Sequence, residues 1–477
     1  MSELARQAAL DTAGMIRRGD ASAVEVMDAH YDRIEILNPQ INALVNVLPR
    51  EAALELARQA DRARSRGEPC GPLHGLPMAV KDTHDAAGFP TTWGFVPWAE
   101  RVARHDGAVA ARQRAAGALF IAKSNVPEFA LGSHTFNNLF GTTSNPYDLS
   151  RTAGGSSGGA AAALATGMLP LADGSDMGGS LRNPAGYCNV VGLRPSLGRV
   201  PADGPFGWFA RLLTPGPMAR NVPDAALLLS VQAGPNQDDP LSRPEPGRHF
   251  RDLPHADPAT LKIAWSADLG FAPVDAAMVR LLEAAAVVFE DLGCEVENAC
   301  PDLRGGMSVF QTQRAASLAQ TGRALDRSLP RWREHAKETM IWNVEQGYAL
   351  TAEDLLRCEV ERTAIYQRVG AFFAHHDALL LPSAQVPPFD KSLDWVREID
   401  GRAMETYIDW MTICCAVTVT DLPAISVPGG FTDDGLPLGL QIVGRPHGDL
   451  DLLAIARLFE EATGHGQRRP PQSEHAG

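Results

Sequence analysis

Between residues 41 and 125 short apolar runs alternate with helix-patterned runs, and this rhythm restricts the fold more than any other feature of the chain. "INALVNVLP" is followed by "EAALELARQADRARSRG", "LPMAVKD", "GAVAARQRAAG" and "ALFIAKSN". Apolar runs of strand length separated by helices predict parallel βα units. The rhythm returns in "LKIAWS", a helix from about Ala276 to Leu292, "DALLLPS", a helix near Glu405 to Val417, "PAISVPGG", "LGLQIVG" and the helix "LDLLAIARLFEEATG". An amphipathic helix opens the chain. Ser22 and Glu25 form a capping box, Val24, Met27, Tyr31 and Ile34 recur at helical spacing, and Pro39 is expected to stop the pattern.

A chain of 477 residues suits one large α/β domain or two or three smaller ones. The Pro/Gly/Asp-rich segment 233–258 is the best linker candidate, equally readable as a long surface loop. No internal repeat is present, and the tail "GQRRPPQSEHAG", 466–477, is expected to be disordered. A net charge of −14 provides no basic face for a phosphate backbone, so no nucleic-acid partner is expected. Seven cysteines with no CxxC pair suggest neither a disulfide framework nor a zinc site; buried, reduced thiols are expected. No stretch approaches eighteen consecutive apolar residues and the N-terminus lacks an apolar leader core, so the expectation is a cytoplasmic protein with no membrane partner.

The run "RTAGGSSGGAAAALATG", 151–167, can be read as a linker, a phosphate cradle or a catalytic loop. It continues directly into an alanine-rich helix and an apolar strand, which opposes a linker. It lacks the lysine and Ser/Thr of a phosphate loop. GGSSG matches the GxSxG elbow pattern, but "NPYDLSRTA" before it is not a strand, so an ordinary Ser-His-Asp hydrolase is a minor alternative.

A second cluster, "LADGSDMGGSLRNPAG", places Gly178 and Gly179 before Ser180 at the end of an expected strand. Paired glycines let successive N–H groups point inward, as a hole for a developing oxyanion requires. A third element is Lys81, which closes the apolar run "LPMAVK". A lysine at the end of a buried strand is either paired or neutral, and a neutral one is a general base.

These residues resemble the amidase signature family, whose pattern is a lysine at a strand end, then GGSSGG, then a GGS turn. The serines at 156 and 180 have the family's spacing, and the flanks "AKSNVPEFALG", "FGTTSNPYD", "VVGLRPSLGRVP", "GPMARNVPDAALLL", "LPAISVPGG" and "GLPLGLQIVG" extend the likeness over nearly the whole chain. The resemblance implies one α/β domain, a mixed central β-sheet with helices on both faces. Within it lie an N-terminal helical region (1–70), a signature core (71–232), a surface connection (233–258) and a second half of the same sheet (259–465). No metal or organic cofactor is implied.

The same resemblance makes Ser180 the nucleophile, Ser156 the proton bridge and Lys81 the base, with the Gly155–Ser156 peptide cis. It puts the oxyanion hole at the backbone N–H groups of Met177, Gly178, Gly179 and Ser180. Ser157, Ser175, Asp176 and Arg182 match positions that hydrogen-bond around these groups. Lysine's ordinary pKa of about 10.4 must fall for the base to work, so activity is expected to rise towards alkaline pH.

The implied reaction is hydrolysis of a small amide through an acyl-enzyme. Substrate expectations come from "DGPFGWFARLLTPG", 203–216, a Gly/Pro-bracketed loop carrying Phe206, Trp208 and Arg211 that suggests an apolar or aryl amide, anilide or carbamate. Leu131 and Gly132 match a family stretch on the acyl side. The same pattern fits a urethanase and the glutaminase component of a tRNA-dependent amidotransferase; a small-molecule substrate and a monomer or homodimer are expected.

Overall fold

The computed structural model describes residues 3–204, 208 and 212–471. The apolar runs form strands of one sheet, in chain order β1 (Leu44–Val45), β2 (Pro77–Lys81), β3 (Leu119–Ser124), β4 (Leu171–Asp176), β5 (Val191–Arg194), β6 (Thr214–Ala219), β7 (Lys262–Trp265), β8 (Glu295–Asn298), β9 (Ala378–Pro382), β10 (Ala424–Phe431) and β11 (Pro437–Gly444). Their order across the sheet is β1-β3-β2-β4-β6-β5-β10-β11-β9-β7-β8. Strands from before and after segment 233–258 therefore belong to one sheet. That segment is itself tied down: Arg243 N–H donates to Gly198 C=O, and Phe250 is buried in the core.

The sheet is mixed rather than parallel throughout. β3, β2 and β4 run parallel, as do β9, β7 and β8, whereas β6, β5, β10 and β11 join by antiparallel pairing. The reason is local: β10 and β11 are connected by a short turn, and no helix separates β5 from β6 among the described residues. A strand that returns without a crossover helix pairs antiparallel.

Both faces are covered. Met78 and Val80 of β2 join one apolar cluster and Ala79 another, and Leu380 is divided in the same way from Leu379 and Leu381 on β9. Alternate side chains leave opposite faces of a strand, so each cluster marks one face. The first cluster draws on Ile16, Phe289 and Phe459, residues from both ends of the chain.

Three expectations need correction. Pro39 does not end the first long helix, which runs Ala23–Ile41 and stops at left-handed Asn42; the donor that proline lacks falls in the final turn. The helix expected near 405–417 spans only Thr412–Thr418. Before it, Asp409 accepts from Thr406 N–H and the Thr406 hydroxyl accepts from Ile408 N–H, side-chain bonds that compete with helical ones. Residues 466–471 are packed, not disordered: Tyr147 hydroxyl and Asn189 amide donate to the Arg468 carbonyl, and Arg468 covers the Phe431 ring. Residues 472–477 lie outside the described residues.

The N-terminal helix Ala9–Arg18 has no side-chain cap of its own. Buried Asp224, more than two hundred residues away, accepts from Ala9 N–H at 2.8 Å and Leu10 N–H at 2.9 Å. Asp224→Ala strands both donors and is expected to cost about 1–3 kcal/mol of stability, read as a lower Tm with faster amide exchange at Ala9 and Leu10; an unchanged exchange rate would contradict this docking role.

Candidate active site

β2 delivers Lys81 into the interior, with all five strand residues buried. Its Nζ lies 2.9 Å from Ser156 Oγ, 2.9 Å from Ser157 Oγ, 3.1 Å from Ser175 Oγ and 3.2 Å from the Ser175 carbonyl oxygen. Among the described residues no carboxylate touches the amine. Burial pushes its pKa down to about 7, against the opposing fields of Asp173 and Asp176. Asp173 instead accepts from the Lys81 backbone N–H at 2.8 Å and meets His84 Nδ1 at 2.6 Å.

The GGSSGG loop leads directly into the fully buried helix Gly158–Ala165, and the Gly155–Ser156 peptide is cis. Gly155 is required by close approach: a Cβ there would lie 2.9 Å from the His134 backbone nitrogen. Asn183 Oδ1 accepts from Gly155 N–H, and Ser157 N–H donates to the Ser180 carbonyl at 3.2 Å. These bonds tie the loop to the turn that follows β4.

That turn, Met177–Ser180, is built around Asp176. Its carboxylate accepts from Gly179 N–H at 2.9 Å and Leu181 N–H at 3.1 Å, and forms a two-pronged pair with Arg182. Arg194 donates to the Asp176 carbonyl. Burial alone would raise the Asp176 pKa, but Arg182, Arg194 and the Gly179 N–H hold it below the ordinary carboxylate range. Arg182 is further held by Gln441 Oε1 at 2.6 Å, Thr418 Oγ1 and the Cys414 carbonyl. Gly179 has φ +104°, the left-handed region that glycine tolerates.

The structure thus brings Lys81, Ser156, Ser157, Ser175, Asp176, Arg182 and the Ser180 turn together. Ser156 is 2% and Ser180 8% exposed. The hydroxyls of Ser156 and Ser180 are not hydrogen-bonded to each other here. The oxyanion expectation changes in one respect: Gly179 N–H is already donated to Asp176, while those of Met177, Gly178 and Ser180 have no acceptor among the described residues.

Of the expected substrate residues, Leu131 is buried in a cluster with Phe95, Phe129 and Trp332, and Gly132 has φ +97° with Tyr407 nearby. Trp208 is 80% exposed, neither packed beneath its loop nor enclosed. Phe206 and Arg211 lie outside the described residues. A cavity of about 910 Å³ lined by Phe389, Trp395 and Arg280 contains none of Lys81, Ser156 and Ser180. Among the described residues no cluster of three or more His, Cys, Asp or Glu could hold a metal ion, and no helix is long and apolar enough to cross a membrane.

Sequence reasoning missed Asp173, Asn183 and Arg194. Asp173 had a signal, an acidic residue inside the apolar run "LPLADG". Asn183 and Arg194 act through folding contacts that carry no local pattern.

The chain is similar to known proteins over nearly its whole length. A family model described as Amidase matches residues 25–453. An acylamidase of Rhodococcus erythropolis is 35% identical over 471 residues, covering 98% of this chain and 97% of that protein. One component chain of the glutamyl-tRNA(Gln) amidotransferase of Carboxydothermus hydrogenoformans is 34% identical, covering 95% of this chain and 97% of that one. Among solved structures, a bacterial aryl acylamidase of the amidase signature enzymes superposes with a TM-score of 0.92 at 28% identity, covering 100% of this chain and 99% of that one. The 6-aminohexanoate cyclic dimer hydrolase complexed with substrate gives 0.84 at 28%, covering 99% and 100%.

A buried amine with its pKa near 7 makes a prediction about Ser180. Below that pH the amine is charged and cannot accept a proton, so modification of Ser180 by a covalent serine reagent should slow about tenfold per pH unit and level off above about pH 8. A rate that is flat between pH 5.5 and 8.5 would contradict the role of Lys81.

Proposed function

The chain belongs to the amidase signature family, a family of amide-hydrolysing enzymes, and on that premise we propose that it cleaves small amides with an apolar or aryl part through an acyl-enzyme on Ser180. The observation that carries this reading is the Lys81 amine, wholly buried among Ser156, Ser157 and Ser175 with no carboxylate among the described residues to hold its proton.

A serine hydroxyl is a poor nucleophile at neutral pH and needs a base within reach, directly or through a relay. Neutral Lys81 accepts the Ser156 proton while Ser156 takes that of Ser180, since a hydroxyl both donates and accepts. Ser180 Oγ attacks the amide carbon, and the carbonyl electron pair moves onto oxygen. The open N–H groups of Met177, Gly178 and Ser180 are the donors available to the developing charge, each donor of this type being worth on the order of 10²–10³ in rate. The proton returns along the relay to the leaving nitrogen, the C–N bond breaks, and water then attacks the Ser180 ester by the same route. This relay requires the Ser156 and Ser180 hydroxyls to close up in the substrate complex, as catalytic hydrogen bonds commonly do.

The acylamidase and aryl acylamidase relatives support an apolar or aryl amide, as does the apolar packing of Met177 and Phe310 at the Ser180 turn. Carbamates would be attacked in the same manner, so urethanase activity is the second reading for the same site. The likeness to an amidotransferase component favours a third, glutamine hydrolysis within a complex.

Purified chain alone, assayed on an anilide, an aryl carbamate and glutamine, separates them. We expect anilide turnover without a partner protein; glutamine as the sole substrate would overturn this reading. Ser180→Ala and Lys81→Met should each lower kcat by on the order of 10⁴ or more with far smaller changes in KM, and normal turnover by the Ser180 variant would remove the assignment.

A further inference from the structure

Beside the Ser180 turn sits a buried cation without an anion. Arg314, on the helix Gly306–Ser328, is 4% exposed, and among the described residues no carboxylate lies within ion-pair distance. Its guanidinium donates through Nε to Asn343 Oδ1 at 3.3 Å and through Nη2 to the Tyr407 hydroxyl at 2.6 Å. Nη1 has no acceptor among the described residues. The rings of Phe310 and Tyr407, at 5.7 and 5.4 Å, give it only a partial substitute for a counter-charge.

The Tyr407 hydroxyl points the same way. It also accepts from Asn343 Nδ2 at 2.6 Å, and that amide is fixed in this orientation because the same nitrogen donates to the Thr339 carbonyl. A phenol oxygen that accepts two N–H bonds has only its own proton left to give. No acceptor for that proton is present among the described residues. Two strong donors, Arg314 Nη1 and Tyr407 O–H, are thus left open on neighbouring groups.

Their place in the fold connects them to the reaction. Phe310, which Arg314 overlies, approaches to 2.9 Å from where a Cβ on Gly178 would stand. Tyr407 lies 3.9 Å from the corresponding position on Gly132, and the next residues, Ser133 and His134, press on Gly155. Phe310 thus links Arg314 to the Ser180 turn, while Tyr407 lies against the segment that backs the GGSSGG loop.

Resting on the hydrolase reading above, we propose that Arg314 and Tyr407 receive a carboxylate on the acyl part of the substrate, so that the preferred amides are apolar or aryl at the scissile end and anionic at the other. A buried guanidinium is compensated best by a planar anion that takes two parallel N–H bonds. Asn343 is a positioning residue that holds both donors in place. An empty subsite tolerates the charge because aromatic faces and neutral oxygens surround it, but it gains most when a carboxylate enters.

The test uses the half-anilides of succinic, glutaric and adipic acid, each against the neutral anilide of matching chain length. The wild-type chain should favour at least one carboxylate member by about tenfold or more in kcat/KM. In Arg314→Gln that ratio should fall to about one through a rise in KM, and Tyr407→Phe, which keeps the ring, should reduce it part of the way. Circular dichroism and Tm show whether either variant is folded.

Calorimetric titration of the same half-anilides into Ser180→Ala reads the subsite without turnover. Tighter binding of the carboxylate member, lost in Ser180→Ala/Arg314→Gln, supports the proposal. Equal binding of charged and neutral members, or a preference that survives in a folded Arg314→Gln, overturns it. Absence of turnover on every anilide would defeat the hydrolase reading instead, leaving the calorimetry to decide the subsite.

Discussion

An amine taken out of water must find a carboxylate or give up its proton, and at Lys81 the fold withholds the carboxylate. Asp173 and Asp176 are near enough for their fields to oppose deprotonation, yet both are occupied elsewhere. Asp173 is bound by the Lys81 backbone and His84, and Asp176 by Arg182 and two backbone N–H groups. What surrounds the amine is a set of hydroxyls. Lys123, at the end of the adjacent strand, makes the contrast clear: it is as buried, its pKa falls to about 8, and it donates to the His84 carbonyl with Asp82 as its opposing charge. Burial alone does not distinguish the two lysines; the serine neighbours do.

The rest of the site follows from keeping those serines where they are. Ser175 arrives from β4, Ser156 and Ser157 from the loop before a buried helix, and Ser180 from the turn that Asp176 closes. Each comes from a different point along the chain, so the site depends on strand register and on the cross-links between loop and turn. Arg182 connects that turn to Gln441 on β11, which makes the C-terminal half of the sheet part of the support for the N-terminal half. The cost of burying Asp176 and Arg182 is offset by a two-pronged pair with every remaining donor satisfied.

The positions legible in the sequence were those where chemistry forces residue type: the lysine closing an apolar run, the glycines where backbone meets backbone, the serines beside them. Strands and helices with clear periodicity were legible too, as at 276–292 and 450–464. Sheet order was not, because the antiparallel centre arises from short connections such as that between β10 and β11. Pro39 and the 405–417 segment misled for local reasons, a donor lost where it does not matter and side-chain bonds that displace helical ones. The helices Gly306–Ser328, Glu338–Ala349 and Ala352–Phe373 had no expectation attached, and with them went Phe310 and Arg314, whose meaning exists only once they lie beside Gly178 and Tyr407. The paired glycines before Ser180 were legible in the sequence, but the diversion of Gly179 N–H to Asp176 is visible only in the folded chain.

The charge state of one nitrogen decides the account. With lysines labelled at Cε, an NMR titration of the folded protein, assigned by Lys81→Met, should show the Lys81 signal passing from charged to neutral with a midpoint near pH 7. A Lys81 signal that keeps the shift of a protonated amine through pH 9 would contradict it.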